Sequence, residues 1–495
     1  MGISTAIDAS AVARVVGIQT EFVDTRNGQT VFLPQRIAVV GQGATASVYS
    51  NTKAQVLSAF EVGQAYGFGC PLHLACQQLF PVNGDGVRTI PVTVYPLDDD
   101  GAGTASAGDI TPTGTATETA SIRVLINNIP SAQITVVTGE AGTDLESRIT
   151  DAINANVDMP MTAAAGADVV DLTSKWKGAS ANDLIIEIDG AVAGINFAIT
   201  QPAGGAANPD VDDALNQVGD VWETLVINCL DLADTTTLDK FQTWGDGRWG
   251  ALTRKPAIVF TGNPSTTVAN AIAVSDTRKT DKVNVATPLP GSSELPLVIA
   301  ARWVSRIAVR SNNQPGYDFG SLPLTGLTPG ADGDQWDYPS RDAAVKGGSS
   351  TIEIKSGVPN ISDTVTFFHP DGDPTPAYRF VVDIIKLQNI IFNIDLEFAS
   401  TKWDGKILVP DADTVIVDYA VQPKDARSAA GLITDNLGLN GLISDAAGTK
   451  SSTRALINDQ NPKRLDMVIP VKVSGNANII SIDLDFGFFF GGVGA

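Results

Sequence analysis

The pattern of apolar and polar positions changes character several times along the chain. Near its start, Val16, Ile18, Thr20 and Phe22 alternate with Gly17, Gln19, Glu21 and Val23, and the turn signal Arg26-Asn27-Gly28 follows. That period predicts one half-buried strand. A lone strand at a chain end must pair with something, either an edge of its own domain or another chain. From Pro34 the rhythm becomes strand and helix in turn: strand Ile37–Val40, helices Thr52–Phe60 and Leu72–Phe80, strand Ile90–Tyr95. It resumes with strand Thr224–Asn228, helix Leu238–Trp244, strand Ile258–Thr261, helix Thr266–Val274 and strand Val283–Ala286. Such alternation predicts a mixed, mostly parallel sheet in an α/β core.

Between these runs, residues 98–205 read differently. They open on Asp98-Asp99-Asp100-Gly101 and a Gly/Thr/Ala stretch. Short strands then follow at Ile122–Ile126, Gln133–Val137, Val169–Leu172, Leu184–Ile188 and Ile195–Ile199, with one helix at Asp144–Asn154. The expected organisation is an N-terminal arm (1–30), a first core segment (31–97), an inserted β-rich outer domain (98–205) and a second core segment (206–330). A C-terminal core domain with a hairpin (331–485) and a C-terminal arm (486–495) complete it. Two long helices are expected, Leu295–Arg310 and Ala377–Phe398. In the first, Arg302, Arg306 and Arg310 stand at i, i+4 and i+8 opposite Leu297, Ala300, Val304 and Ile307. In the second, Phe380, Ile384, Leu387, Ile391, Ile394 and Phe398 form the apolar stripe. Both read as core helices with a solvated charged side.

The strictest alternation lies at the far end. Ile480, Ile482, Leu484, Phe486 and Phe488 fall on one face, Ser481, Asp483, Asp485 and Gly487 on the other. Before them, Ile469, Val471 and Val473 alternate within Met467–Val473, and Ser474-Gly475-Asn476-Ala477 supplies turn chemistry, so the stretch predicts a hairpin. Three phenylalanines, 488–490, next to a Gly-rich end are explained if another surface covers them. An open strand edge is where another chain adds.

Composition sharpens this picture mainly by exclusion. With 495 residues and 43% hydrophobic content the chain is long enough for two to four packed domains. The net charge of −22 opposes a nucleic-acid or anionic-membrane surface, and half of it lies in 98–205, which holds fifteen acidic residues and four basic ones. Three cysteines (Cys70, Cys76, Cys229) fit a reducing compartment rather than a disulfide framework. The opening MGISTAIDASAVARVVG lacks the layout of a secretory signal, and no apolar run approaches a membrane span, so cytoplasmic synthesis is expected. The stretch 421–472 is the least acidic long region, with seven basic and five acidic residues. Its Lys450, Arg454, Lys463 and Arg464 are candidates for meeting an acidic partner, Lys450 and Arg454 foremost.

Candidate chemistry is sparse. Gly41-Gln42-Gly43-Ala44-Thr45-Ala46 after an apolar strand matches the dinucleotide fingerprint. The acid twenty residues on, Glu61, ends a helical segment instead of a second strand, so a glycine turn is the plainer account. Cys70 and Cys76 flank His73 without the four-ligand spacing of zinc, and read as a buried helix start. Only one other histidine, His369, exists, and no G-x-S-x-G elbow. Asp371-Gly372-Asp373 and Asp332-Gly333-Asp334 lack the spaced oxygens of a calcium loop. No catalytic residue, cofactor or metal is expected.

Several stretches, in order, resemble the tail sheath proteins of contractile bacteriophages, specifically the Mu-like sheath family. They are Gly17-Ile18-Gln19-Thr20-Glu21-Phe22, then Pro34 to Gln42, then Gly204-Gly205-Ala206-Ala207-Asn208-Pro209-Asp210. Leu322-Pro323-Leu324-Thr325-Gly326-Leu327 and Asn461-Pro462-Lys463-Arg464-Leu465-Asp466 follow. The loop Phe367-Phe368-His369-Pro370 and the tail after Phe486 match no pattern of that family. The resemblance implies a non-enzymatic subunit that forms hexameric rings stacked helically around a tail tube and contracts to drive the tube through a host envelope. Its arms would add strands to neighbouring copies, which assigns Val16, Ile18, Thr20 and Phe22 as donor positions, along with Phe486 and Phe488. Ile469, Val471, Val473, Ile480, Ile482 and Leu484 fall on the receiving hairpin. The implied partners are further copies, a tail tube protein, and baseplate and tail terminator proteins, with no nucleic acid and no membrane insertion. The implied place is the tail of a virion assembled in host cytoplasm. Two other readings stay open: a nucleotide-dependent enzyme using the Gly41–Gly43 loop, and another shell protein of a virion or injection system.

Overall fold

The computed structural model describes residues 31–82, 84–374, 376–478 and 482. Phe32–Ile391, with the segment from Gly475, packs as one compact unit, and Phe392–Ser474 with Val31 as a second. The larger unit opens with β1 (Ile37–Gln42), β2 (Ala54–Val56), α1 (Ala59–Tyr66), α2 (Pro71–Leu79) and β3 (Val92–Leu97). Next come β4 (Ala105–Gly114), β5 (Ala120–Ile126), β6 (Ile129–Pro130), β7 (Ile134–Val136) and α3 (Glu146–Asn154). After β8 (Met161–Ala165), β9 (Val170–Lys177), β10 (Ile186–Asp189) and β11 (Ile195–Ala203), the α/β rhythm returns. It runs through α4 (Asp212–Val218), β12 (Leu225–Asn228), α5 (Thr235–Arg248), β13 (Ile258–Asn263), α6 (Val268–Asp276) and β14 (Asn284–Pro288). The unit continues with α7 (Pro296–Asn313), α8 (Tyr338–Lys346), the hairpin β15 (Thr351–Lys355) and β16 (Val358–Asp363), and α9 (Val381–Phe398).

The fold is mixed α/β. Its six-stranded sheet has the order β14-β13-β12-β1-β3-β2, parallel throughout except for β2 against β3. Ile37 and Val39 face one apolar cluster with α2 and α7, and Ala38 and Val40 face another with α4 and α5. A parallel sheet covered on both faces must be apolar on both, which is why these strands read as unbroken apolar runs. Residues 105–203 form two antiparallel sheets, β11-β4-β9-β8 and a second built on β5. Their apolar core, including Ile110, Ile122 and Trp176, is continuous with that of β1 and α7.

The structure corrects the sequence reading at several places. Thr52–Phe60 is no helix. The Ser58 side chain accepts a hydrogen bond from the Glu61 amide at 3.2 Å and caps α1, which starts at Ala59, while Glu61 accepts from the Leu57 amide just before the cap at 2.9 Å. The preceding Ala54–Val56 is left free to pair as an edge strand. The Gly/Thr/Ala stretch hides β4, the central strand of its sheet. A side chain at Gly108 would meet the Thr200 carbonyl oxygen at 2.6 Å, so the close approach of β11 requires the small residue.

The charged sides of the two long helices are solvated only in part. Arg302 is 3% exposed, and its Nη2 donates to Asp85 Oδ2 at 2.8 Å, while Nη1 of Arg306 pairs with the other Asp85 oxygen. Thr325 Oγ1 donates to Asp85 at 2.7 Å. Burial pushes the Asp85 carboxyl up, but the Thr325 hydrogen bond and the two guanidiniums together hold it below its usual value. On α9, Lys386 is 1% exposed and donates to Asp383 Oδ1 at 2.9 Å and to Asn476 Oδ1 at 2.5 Å. Asn389 accepts from the Leu33 amide at 2.8 Å, and Asn393 donates to the Val31 carbonyl at 3.0 Å. Lys386, Asn389 and Asn393 stand at i, i+3 and i+7, one stripe of the helix. That stripe holds the first described residues of the chain and the segment just after Ser474.

Because Asp85 neutralises two largely buried cations, Asp85→Ala leaves Arg302 buried and unpaired. Asp85 is itself 41% exposed and Arg302 keeps its bonds to the residue-85 carbonyl and Thr325, so a loss of about 1–2 kcal/mol is expected, read as a lowered thermal midpoint; Asp85→Glu should recover some of it. A midpoint unchanged in Asp85→Ala would show that the cluster contributes nothing.

Candidate assembly surfaces

The smaller unit is built from the end of α9, the parallel pair β17 (Ile407–Leu408) and β18 (Ala420–Val421), and α10 (Pro423–Leu439). It also contains β19 (Ile443–Ser444), α11 (Ala446–Ser452), β20 (Arg454–Ile457), β21 (Leu465–Val468) and β22 (Lys472–Val473). A capping box between Gln422 and Asp425 opens α10. Arg427 ties the helix to Asp411 at 2.7 Å and to the Ala455 carbonyl at 3.2 Å. Large apolar side chains stand exposed: Leu432 and Leu439 seven residues apart on α10, Leu456 on β20 and Val468 on β21.

The expected strand Met467–Val473 is divided. β21 pairs antiparallel with β20, Ala455 opposite Met467, and β22 pairs with β19, Ile443 opposite Val473. Pro470 lies between them, and without an N–H it cannot continue a ladder. The hairpin partner of β21 is therefore upstream, across Asn458–Arg464. Asn458 Oδ1 accepts from the Gln460 and Asn461 amides at 3.0 and 2.9 Å, an Asx-type turn legible in Asn458-Asp459-Gln460-Asn461-Pro462. β20 and β21 form a sheet of two, so each keeps an outer edge without a ladder partner among the described residues.

Of the expected assembly residues, Ile469, Val471 and Val473 are part-buried beside these strands, and Ile482 is 77% exposed. Val16, Ile18, Thr20, Phe22, Ile480, Leu484, Phe486 and Phe488 lie outside the described residues. Arg454 is exposed at the start of β20, opposite Val468. Lys450 is bound to Asp435 at 2.6 Å and Arg464 to Asp466 at 2.5 Å, so their charges are partly spent within the unit.

The glycine loop is occupied by the chain itself. After β1 no helix follows: the Gly43 amide donates to the Tyr49 hydroxyl at 3.1 Å, and that hydroxyl donates to the Leu97 carbonyl at 2.9 Å. A side chain at Gly43 would lie 2.3 Å from the Tyr49 ring, and one at Gly41 2.7 Å from Cys229 Cβ. Gln42 Nε2 donates to Asp99 Oδ1 at 2.5 Å and to the Lys177 carbonyl at 2.7 Å. The crevice at the carboxyl ends of β1, β3 and β12, where open α/β sheets bind ligands, is thus filled by Tyr49, by Asp99 at the start of the insertion and by Lys177 at the end of β9. Cys70 caps α2 with its side chain buried, its thiol pushed up to about 12 by burial, and the His73 Nδ1 accepts from the Gly69 amide at 3.1 Å. Among the described residues no group of three or more His, Cys, Asp or Glu is placed to hold a metal ion.

No family model matches the chain. Among solved structures, chains of contractile sheath proteins align along most of its length, at TM-scores below the level that carries a fold argument. A sheath tail protein from Listeria innocua is 11% identical with a TM-score of 0.49, covering 91% of this chain and 94% of its own. One from Desulfitobacterium hafniense is 13% identical with a TM-score of 0.44, covering 90% and 93%. The particular relative found by sequence is a Mu-like prophage tail sheath protein of Haemophilus influenzae. It is 24% identical over 404 residues, spanning 79% of this chain and 80% of the relative. The resemblance to Mu-like sheath proteins read from the scattered motifs is borne out over that length.

One carboxyl near the closed crevice is out of its ordinary range. Asp183, between β9 and β10, is pushed up to about 7 by burial and then by the charge of Asp231, which follows β12. Its folded value lies above its unfolded one, so its contribution to stability is full at low pH and is lost as pH rises through about 7. Asp183→Asn should remove the fall in unfolding midpoint that Asp183 imposes between about pH 4 and 7, a difference on the order of a few kcal/mol by pH 8. Parallel profiles for the two proteins would refute the assignment.

Proposed function

We propose that the protein is a structural subunit of a contractile tail sheath. In this reading it stacks as hexameric rings around a tail tube and contracts to drive the tube through an envelope. The similarity to a Mu-like tail sheath protein across 79% of the chain carries this reading. The closed crevice supports it against a nucleotide-dependent enzyme, because the space a pyrophosphate would need beside Gly41 and Gly43 is filled by Cys229 and Tyr49. The role is structural rather than catalytic, its place the tail of a phage or phage-like particle assembled in host cytoplasm. Its partners are further copies, the tube protein, and baseplate and terminator proteins.

Within that reading, residues 98–205 face outward, and their acidity keeps the particle surface solvated. The segment 465–485 receives strands donated by neighbouring copies, Val15–Val23 from one and Phe486–Phe490 from another. Open edges on β20 and β21 and the exposed Leu456 and Val468 support such additions. Burial of Ile18, Phe22, Phe486 and Phe488 would contribute roughly 1.5–3 kcal/mol each before ordering costs. Backbone pairing gives generic affinity while alternate side chains set the register.

Removal of residues 1–24, or truncation after Asp485, should therefore give folded subunits that no longer polymerise, scored by negative-stain microscopy and by thermal melting. Normal tubes from either truncation would contradict strand donation.

Lys450 and Arg454 are assigned to the tube-facing side. Reversing both charges should weaken co-purification with the tube protein, the more so at low ionic strength. Equal recovery of tube with wild type and variant at every salt concentration would end that assignment.

A further inference from the structure

Along α7 the three arginines meet different fates. Arg302 and Arg306 are committed to Asp85. Arg310, one turn further, has no carboxylate partner among the described residues. Its guanidinium lies over the Tyr317 ring, 4.4 Å from the centroid. Both border a cavity of about 430 Å³ lined also by Arg306, Val309, Gln314 and Leu322. The floor is partly apolar, and Gln314 is exposed at the rim.

We propose that this cavity receives a carboxylate-bearing segment of a second copy of the chain, with Arg310 as the pairing cation; the inference rests on the sheath reading. Three observations select that occupant. A guanidinium carries five N–H donors in a plane, and a ring face uses none of them, so Arg310 retains its capacity for a bidentate carboxylate. Chains with a net charge of −22 repel one another, so contacts between copies need local positive points, and most of the described arginines are already spent on the chain's own acids or carbonyls. The cavity also adjoins the root of the C-terminal arm: Asn476 Nδ2 donates to the Gly316 carbonyl at 3.0 Å, immediately before Tyr317. A neighbour engaged by that arm is brought to the cavity mouth.

The test uses full-length protein and its critical concentration for polymerisation. Arg310→Glu should raise that concentration about tenfold in 0.15 M salt, with the gap narrowing at 1 M where charges more than about 3 Å apart are screened. Arg310→Met, which keeps the stem over Tyr317, should give a smaller increase and guards against misfolding of the Glu variant. A photo-crosslinker replacing Gln314 should capture an acidic peptide from another copy. Wild-type polymerisation with both variants unchanged, or capture of a peptide lacking Asp and Glu, would overturn the cavity assignment alone. A wild-type chain that never polymerises would overturn the sheath reading and this inference with it.

Discussion

The polar stripe of α9 is the constraint on which both ends of the described chain depend. Lys386, Asn389 and Asn393 are not a solvated face; they bind Asn476, Leu33 and Val31 through hydrogen bonds of 2.5 to 3.0 Å. Buried polar groups of this kind cost free energy unless they are fully partnered, so the helix and the two segments must order together. In the proposed sheath reading, α9 ties the roots of both arms to a packed core, so a load on either arm reaches that core directly. An assembling subunit needs this if neighbours are to stay linked while their bodies move.

The same logic recurs around the sheet. Asp85 holds Arg302 and Arg306 at a buried site on α7, and Thr325 completes it. Gln42 fastens Asp99, at the start of the insertion, and the Lys177 carbonyl, at the end of β9, over the crevice at the carboxyl ends of the central strands. In an enzyme of similar topology that crevice would stay open for ligand. Here the chain itself fills it, while the outer edges of β20 and β21, exposed Leu456 and Val468, and Arg310 over Tyr317 stand open among the described residues. In the proposed sheath reading those features meet other copies of the chain.

The sheet was legible because a parallel sheet buried on both faces must read as apolar runs; Ile37–Val40 and Ile258–Thr261 are such runs. β4 was not, because its alternation is carried by small residues and its Gly108 serves a close approach that only the fold reveals. The capping signal Ser58-Ala59-Phe60-Glu61 was present and outweighs the helical periodicity upstream of it. Charged residues misled most. Period 3.6 places Arg302 and Lys386 off the main apolar stripe, yet α7 and α9 are enclosed on nearly every side, and partners distant in sequence absorb the charge. For the assembly surface, Pro470 within Met467–Val473 announced the strand break, and the Asn-rich turn before Leu465 announced the β20–β21 hairpin. The end of the chain was read from alternation alone, which fixes a face but not the surface that covers it.

Helical reconstruction by electron microscopy of particles polymerised from the intact chain tests the central claim most directly. The account predicts that residues 31–33 and 476 remain hydrogen-bonded to α9 of their own subunit while 15–23 and 486–490 pair as strands on neighbouring copies. Termini folded back onto their own subunit, in tubes that are otherwise well ordered, would contradict it.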